Sequence, residues 1–457
     1  MQNGTDYDVL IIGGGQAGIP LAYKLAGRDF TVALAERKDL GGSCVNFGCS
    51  PTKAAIASAK VAFQARRASE YGVEIPEVRV DFPAVLRRAR GVAETKRAGL
   101  DRGLEGSDNP VLIRGHARLE AREDGGFRVT VGDRSLLVGQ VVLNTGTRTL
   151  IPPIEGLEAV DFIDSGNWLD REDLPGHLAI VGGSYIGLEM AQFYRRMGSD
   201  VTVVVGSSDH VASSEDDDVS EAMRDMLAEE GVGFVFCERA RGVAADGEGL
   251  TLTLDGDDPT EVRATHLFLA TGRRPNTDDL GLENVGLEAD RRGFIQTDER
   301  LSTDVEGIWA GGDIRGGYMF THTSYDDHRV LLSQMAGDGR RTTDRVVPYG
   351  IFTDPELGRV GMTEREAREA GHEVEVHRLD LQDEKGKAFE LGENKGFIKV
   401  IADAATDRVL GAAVLTVEGA ELVHIYEDLM NADEPLSVVR EAVYIHPTLA
   451  EDIQSAI

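Results

Sequence analysis

The sequence predicts an α/β protein with two nucleotide-binding units followed by a C-terminal α+β domain. Three observations point to it. A strand–glycine turn–helix pattern occurs twice, starting at Asp8 and at His177. Each unit closes on a strand that runs into a Thr-Gly turn, Thr145-Gly146 and Thr271-Gly272. From about Val347 strands and helices alternate without a glycine turn. A chain of 457 residues is also too long for a single core.

In the first unit, Asp8–Ile12 reads as a buried strand, Gly13-Gly14-Gly15-Gln16-Ala17-Gly18 as the turn, and Ala17–Leu25 as an amphipathic helix. A second strand, Thr31–Ala35, ends at Glu36. Gly13 permits the tight turn, Gly15 lets backbone meet a pyrophosphate, and Gly18 lets the helix pack close to the strand. The helix start favours phosphate, and Glu36 is placed to accept from ribose hydroxyls.

Next comes Gly41–Lys53, GGSCVNFGCSPTK. Cys44 and Cys49 flank a short loop. Ser50, Pro51 and the Ala-rich run beyond predict a helix from Pro51 to about Tyr71. Cys49 then sits at the positive end of a helix, where thiolate is favoured over thiol. Taken alone, the pair fits a redox disulfide, two free thiols or half a metal site. Further on, Val111–Leu119 reads as one strand containing Gly115-His116.

In the second unit, His177–Val181 is a strand, Gly182-Gly183-Ser184-Tyr185-Ile186-Gly187 the turn, and Leu188–Met197 the helix. Ser184 replaces the middle glycine. The next strand, Val201–Val205, ends in Val rather than an acid. These are two Rossmann-like units. Ile308–Asp313 reads as a strand entering a Gly-Gly-Asp turn. Cys237, in an apolar strand, reads as a core thiol, and His210 as a surface residue.

The net charge of −31 argues against nucleic acid and anionic membranes as partners. The acid runs Glu215–Asp218 and Asp255–Asp258 read as solvated surface. Three cysteines make no disulfide scaffold, which fits a cytoplasmic location. The first residues have no basic or apolar signal region, and no apolar run is long enough to span a bilayer.

With these motifs in place, the chain resembles the class I pyridine nucleotide–disulfide oxidoreductases, the family of dihydrolipoamide dehydrogenase, glutathione reductase and mercuric reductase. The motifs that carry the resemblance are Gly13–Gly18, Gly41–Lys53, Gly182–Glu189, Ala270–Asn276, Ile308–Asp313, Val347–Thr363 and His446–Glu451. The resemblance implies four segments. Residues 1–150 would be an FAD-binding domain with the redox disulfide, and 151–276 an NAD(P)-binding domain. Residues 277–346 would complete the FAD domain, and 347–457 would form a dimerisation domain.

The resemblance also implies roles for residues. Gly13, Gly15, Gly18 and Glu36 would hold the ADP half of FAD, with Gly115 and His116 near the adenine. Gly42, Ser43, Lys53, Gly146, Asp313, Met319 and His322 would lie along the rest of FAD. Gly182, Gly187 and Gly272 would contact the nicotinamide dinucleotide, and Tyr185 would cover the flavin until nicotinamide displaces it. Glu189 would pair with Lys53. Cys49 would be the flavin-side thiol and Cys44 the thiol that meets substrate. His446 and Glu451 would form an acid–base dyad supplied across a two-fold homodimer, with a cis bond before Pro447.

Electrons would pass from nicotinamide through FAD to the Cys44–Cys49 disulfide, and on to a thiol or disulfide substrate. The missing acid at Val205, with Ser207, Ser208 and His210 following, favours NADPH over NADH. The string Thr321–Asp327 is similar to the mercuric reductase-like branch. No cysteine follows Cys237, and His446 and Glu451 are kept, so thiol–disulfide chemistry is favoured over dedicated mercury reduction. Mercuric or cupric ion reduction, a dihydrolipoamide dehydrogenase and a redox-silent flavoprotein assembly subunit are the alternatives.

Overall fold

The computed structural model describes residues 5–247, 249–256, 260–382 and 386–457. The first sheet has parallel strands in the order Val111–Arg114, Val32–Glu36, Tyr7–Ile12 and Arg134–Leu143. Ile308–Ala310, far on in sequence, pairs in parallel with the end of Arg134–Leu143. Gly126–Val131 and Ala117–Glu123 extend the sheet antiparallel. Val9, Leu10 and Ile11 are fully buried, as an unbroken apolar run must be when a parallel strand is covered on both faces.

The second sheet is wholly parallel. Its order is Val232–Cys237, Asp200–Gly206, His177–Val181, His266–Leu269, Phe162–Asp164. Arg239–Asp246, Gly249–Asp255 and Glu261–Ala264 form a small antiparallel sheet beside it. Thr147–Thr149 pairs with Arg273–Pro275, so the two Thr-Gly turns meet in one short ribbon. The C-terminal sheet is antiparallel, in the order Tyr349–Ile351, Glu356–Gly361, Arg408–Thr416, Phe397–Asp403, Val374–Asp380.

Several expectations are corrected. Cys44 lies in a one-turn helix, Gly42–Asn46, not at the edge of a loop. The following helix is Cys49–Arg66, so Cys49 is its first residue and Pro51 its third. The helix stops at Arg66, and a 3₁₀ turn, Ala68–Tyr71, follows. The expected strand Val111–Leu119 is two strands, because Gly115 at φ +152° turns the chain between them. The second-unit helix starts at Tyr185, a turn earlier than expected.

Of the run Glu215–Asp218 only Asp217 is solvated surface, as expected; the other three acids are engaged by the C-terminal domain. Glu215 is 2% exposed and pairs with the buried Arg359, while Asp216 and Asp218 face the buried Lys399. Opposite charges on the C-terminal domain make burial tolerable, and they lie more than a hundred residues away. Asp257 and Asp258 of the other run lie outside the described residues. Cys237 is half-buried at a strand end and flanks a core cluster rather than filling it. No described helix is long and apolar enough to cross a membrane.

Candidate active site

A cavity of about 1080 Å³ runs between the first unit, the start of the second and the C-terminal domain. One end is built by the first glycine turn. A Cβ on Gly13 would stand 2.2 Å from the Asn144 carbonyl oxygen, and one on Gly18 2.1 Å from that of Gly13. Only glycine closes this turn. Gly15 and Gly42 present bare backbone to the cavity, and a Cβ on Gly42 would lie 3.2 Å from the Gly15 Cα. The Glu36 carboxylate accepts from the Gly14 and Lys38 amides, both at 2.8 Å, and also lines the cavity.

The sequence reading missed Asn144. Its Oδ1 accepts from the Gly18 amide at 2.9 Å and its Nδ2 donates to the Gly311 carbonyl at 2.7 Å. This buried side chain joins the first glycine turn to the Gly-Gly-Asp turn. The only available signal was its place directly after a strand and before Thr-Gly. Asp313 accepts from Thr147 and Ser324, each at 3.1 Å, and burial raises its carboxyl pKa. Gly115, His116, Gly146, Met319 and His322 also line the cavity. His322 contacts the Pro348 carbonyl at 2.7 Å, and burial lowers its pKa.

The two cysteines lie in the cavity wall as thiols. The Trp168 indole donates to the Phe47 carbonyl at 2.8 Å, which fixes the segment between them. The Cys44 thiol hydrogen-bonds to Cys49 and holds the Cys49 pKa down to about 6, helped by Thr321 and the Lys53 charge. Thr321 Oγ1 lies 3.2 Å from the Cys49 sulfur. The same hydrogen bond, with burial, raises the Cys44 pKa. The pair is thus split into one thiolate former and one thiol donor.

Lys53, one helical turn after Cys49, reaches Glu189 of the second unit at 2.8 Å. Glu189 also accepts from the Phe352 amide at 3.0 Å, and the Lys53 ammonium lies 4.4 Å from the Phe352 ring centre. Tyr185 lines the cavity with its ring 5.9 Å from that of Phe320, and burial raises its pKa.

The second glycine turn is equally tight: a Cβ on Gly182 would lie 2.3 Å from the Ala270 carbonyl oxygen, and one on Gly187 2.0 Å from that of Gly182. Gly272 lines a small cleft with Ser184, Tyr185 and Arg273. Ser207 and Ser208 are not gathered into either cavity. Ser207 donates to the Glu238 carbonyl at 2.9 Å and Ser208 to that of His210 at 2.9 Å. The His210 ring is partly exposed, 3.8 Å from Asp217.

His446 and Glu451 form a 3.0 Å pair, and the His446–Pro447 bond is cis. His446 is 78% exposed and lies outside the cavity wall of its own chain. Neighbouring Val443 and Ile445 are 99% and 78% exposed. Among the described residues no group of three His, Cys, Asp or Glu side chains is arranged to hold a metal ion.

A dithiol at a helix start, in a cavity built from one dinucleotide-type glycine turn and bordered by a second, defines a flavin-dependent thiol–disulfide oxidoreductase. The bare-backbone cradle at Gly15 and Gly42 and the anchored Asp313 fit a long dinucleotide such as FAD. The chain belongs to the pyridine nucleotide-disulphide oxidoreductase family, whose model matches residues 7–327 and whose dimerisation domain matches residues 347–457. The family uses FAD and NAD(P)H, and the chain is a flavoprotein disulfide oxidoreductase.

Among its relatives is the probable pyridine nucleotide-disulfide oxidoreductase RclA of Escherichia coli, 32% identical over 98% of both chains. The dihydrolipoyl dehydrogenase of Haloferax volcanii is 32% identical, covering 99% of this chain and 96% of its own. The mercuric reductase of Streptomyces lividans is 34% identical, covering 100% and 96%. A structure of the E. coli protein, described as a Cu(II) complex of HOCl-induced flavoprotein disulfide reductase RclA, superposes with a TM-score of 0.88 at 32% identity, covering 98% of both chains.

Proposed function

We propose that this protein is a cytoplasmic NADPH-dependent reductase of a small disulfide. The observation that carries the reading is the pair of thiols in the cavity wall at a helix start, with the Cys49 sulfur 3.2 Å from the Thr321 hydroxyl and the Lys53–Glu189 pair one helical turn on. FAD, when bound, supplies the two-electron carrier between nicotinamide and the Cys44–Cys49 disulfide. Gly13, Gly15, Gly18, Glu36, Gly42, Ser43, Gly115, His116, Gly146, Asp313, Met319 and His322 would hold it, with residues 1–150 and 277–346 forming its domain. Residues 151–276 would take the nicotinamide dinucleotide, through Gly182, Gly187 and Gly272.

Lys53, fixed by Glu189, presents a positive charge to the cavity. Tyr185 excludes water from it. Cys49 remains a thiolate at neutral pH and favours the reduced pair. Cys44, giving up its proton to His446, would attack the substrate disulfide to form a mixed disulfide and release a first thiol. Cys49 would then break the mixed disulfide, releasing the second thiol and closing the Cys44–Cys49 disulfide. His446, oriented by Glu451, would protonate that leaving thiol. Because the dyad lies outside its own chain's cavity, residues 347–457 of a partner subunit would supply it across a two-fold axis.

The absence of an acid at Val205 supports NADPH, although Ser207 turns to the Glu238 carbonyl and Ser208 to its own loop. A second reading, reduction of cupric or mercuric ions, is favoured by the solved relatives described as Cu(II) complexes. Both readings are tested by a turnover panel of lipoamide, glutathione disulfide, other low-molecular-weight disulfides, cupric and mercuric ions and a quinone, with each nucleotide. Disulfide turnover that is lost in Cys44→Ser supports the first reading. Metal-ion turnover alone sinks it, and a tenfold higher kcat/KM with NADH sinks the nucleotide assignment.

A further inference from the structure

One member of this acid run reaches the cavity. Glu215, in the loop after Asp200–Gly206, pairs with the Arg359 Nε at 2.7 Å. Its other oxygen accepts from the Tyr349 hydroxyl at 2.5 Å. Arg359 is held in turn by the Ala412 carbonyl. A carboxylate this deep is stable only with all its partners in place. Asp216 and Asp218 bind elsewhere on the C-terminal domain, to Lys399 and Arg378, and touch nothing in the cavity.

Tyr349 lines the cavity, and its ring stacks on Phe320 with centroids 5.4 Å apart and planes 11° off parallel. Phe320 packs against Tyr185 at 5.9 Å. On its other side the Glu215 loop grips the second glycine turn. The Glu215 amide donates to the Ala212 carbonyl at 2.8 Å, and the Ala212 amide to the Gly183 carbonyl at 2.7 Å. Gly183 and Tyr185 are two residues apart in the chain. The contacts therefore close a ring. They run out from the turn through Ala212, Glu215 and Tyr349, and return through Phe320 to Tyr185.

We propose that Glu215 is a positioning residue for nicotinamide binding: by holding the Tyr349 hydroxyl it sets the Tyr349–Phe320 stack, so that the second glycine turn and the Tyr185 ring respond as one body. The proposal rests on the reading that this turn takes the nicotinamide dinucleotide and that Tyr185 stands before the flavin. Close-packed rings have little slack, so a shift at the turn is passed to Tyr185 rather than absorbed.

The test uses the FAD-loaded enzyme and the variants Tyr349→Phe, Glu215→Gln, their double, and Arg378→Gln. Tyr349→Phe removes one hydroxyl and leaves Glu215 its arginine, so it remains informative if Glu215→Gln folds poorly. Two quantities are read without any disulfide present: the calorimetric Kd for oxidised nucleotide, and the rate of anaerobic flavin bleaching by NADPH and NADH. Each single variant is expected to raise Kd and slow bleaching at low nucleotide about tenfold, the scale of a lost hydrogen bond to a charged group.

The double variant should be no worse than Glu215→Gln alone, because Tyr349→Phe removes a contact that Glu215→Gln already weakens. The pH profile of Cys49 alkylation should stay as in the parent. Arg378→Gln, which loosens the same domain contact away from the ring, should match the parent in every measurement. An unchanged Kd in Tyr349→Phe overturns the proposal, as do additive losses in the double or an equal loss in Arg378→Gln. A parent that bleaches yet turns over no disulfide overturns only the substrate reading. A parent that binds and oxidises neither nucleotide overturns both.

Discussion

Lys53 and Glu189, 136 residues apart in sequence, meet in a 2.8 Å ion pair that joins the helix carrying Cys49 to the helix of the second glycine turn. Both helix starts are thereby held to one wall of the cavity. Glu189→Gln is expected to lower stability by about 1.5–3 kcal/mol, the range for a hydrogen bond to a charged group. Lys53→Met should slow flavin reduction by nicotinamide and leave Cys44 alkylation unchanged. Thermal melts and anaerobic stopped-flow absorbance check the two parts.

Cys49, with a pKa of about 6 against an ordinary 9.0, is expected to react with iodoacetamide across neutral pH. Its acid form reappears only below the depressed pKa, so the rate should rise through about pH 6 and then level off. Cys44, raised by the same hydrogen bond, should react only under alkaline conditions. Thr321→Val removes one hydrogen bond to the thiolate and should move the Cys49 profile to higher pH. A profile for the Cys49→Ser variant that kept the low-pH step would refute the assignment.

His446 sits outside its own chain's cavity, so His446→Gln is expected to reduce disulfide turnover by about 10²–10⁴-fold while flavin reduction proceeds normally. Co-expressed Cys44→Ser and His446→Gln subunits should regain activity, because a mixed dimer holds one site with both groups intact. If purified mixed dimers stay inactive, the dyad does not act across the interface.

Asn144 makes two buried hydrogen bonds to backbone, to Gly18 and to Gly311. Asn144→Ala leaves both backbone groups unsatisfied, which is expected to cost about 1–3 kcal/mol each. It should also lower the FAD content of the purified protein. The ratio of flavin absorbance to protein absorbance, with a denaturant melt beside it, checks both effects.

Local signals made much of this site legible. Gly13, Gly18 and Gly182 could be read because each answers a steric demand within its own turn. Cys49 could be placed at a helix start because Pro and a helix-forming run follow it. The pKa of Cys49 is lowered with Cys44 as the first cause, a neighbour in the one-turn helix before the helix start. Where local reading failed, a distant partner had intervened. Glu215 looked like solvated acid until Arg359 and Tyr349 were brought to it. Gly115 broke an apparently continuous strand because its backbone turns at positive φ.

By itself the sequence determined the two glycine turns, the dithiol at a helix start and the family, since these depend on backbone sterics and short-range spacing. The tertiary structure decided which charges are buried, that Asn144 ties two turns together, that Ser207 is taken up by the Glu238 carbonyl, and that His446 lies outside its own chain's cavity wall. Those outcomes depend on pairings between residues up to 183 positions apart. A buried charge or amide is stable only where its partner arrives, and no local pattern records that arrival.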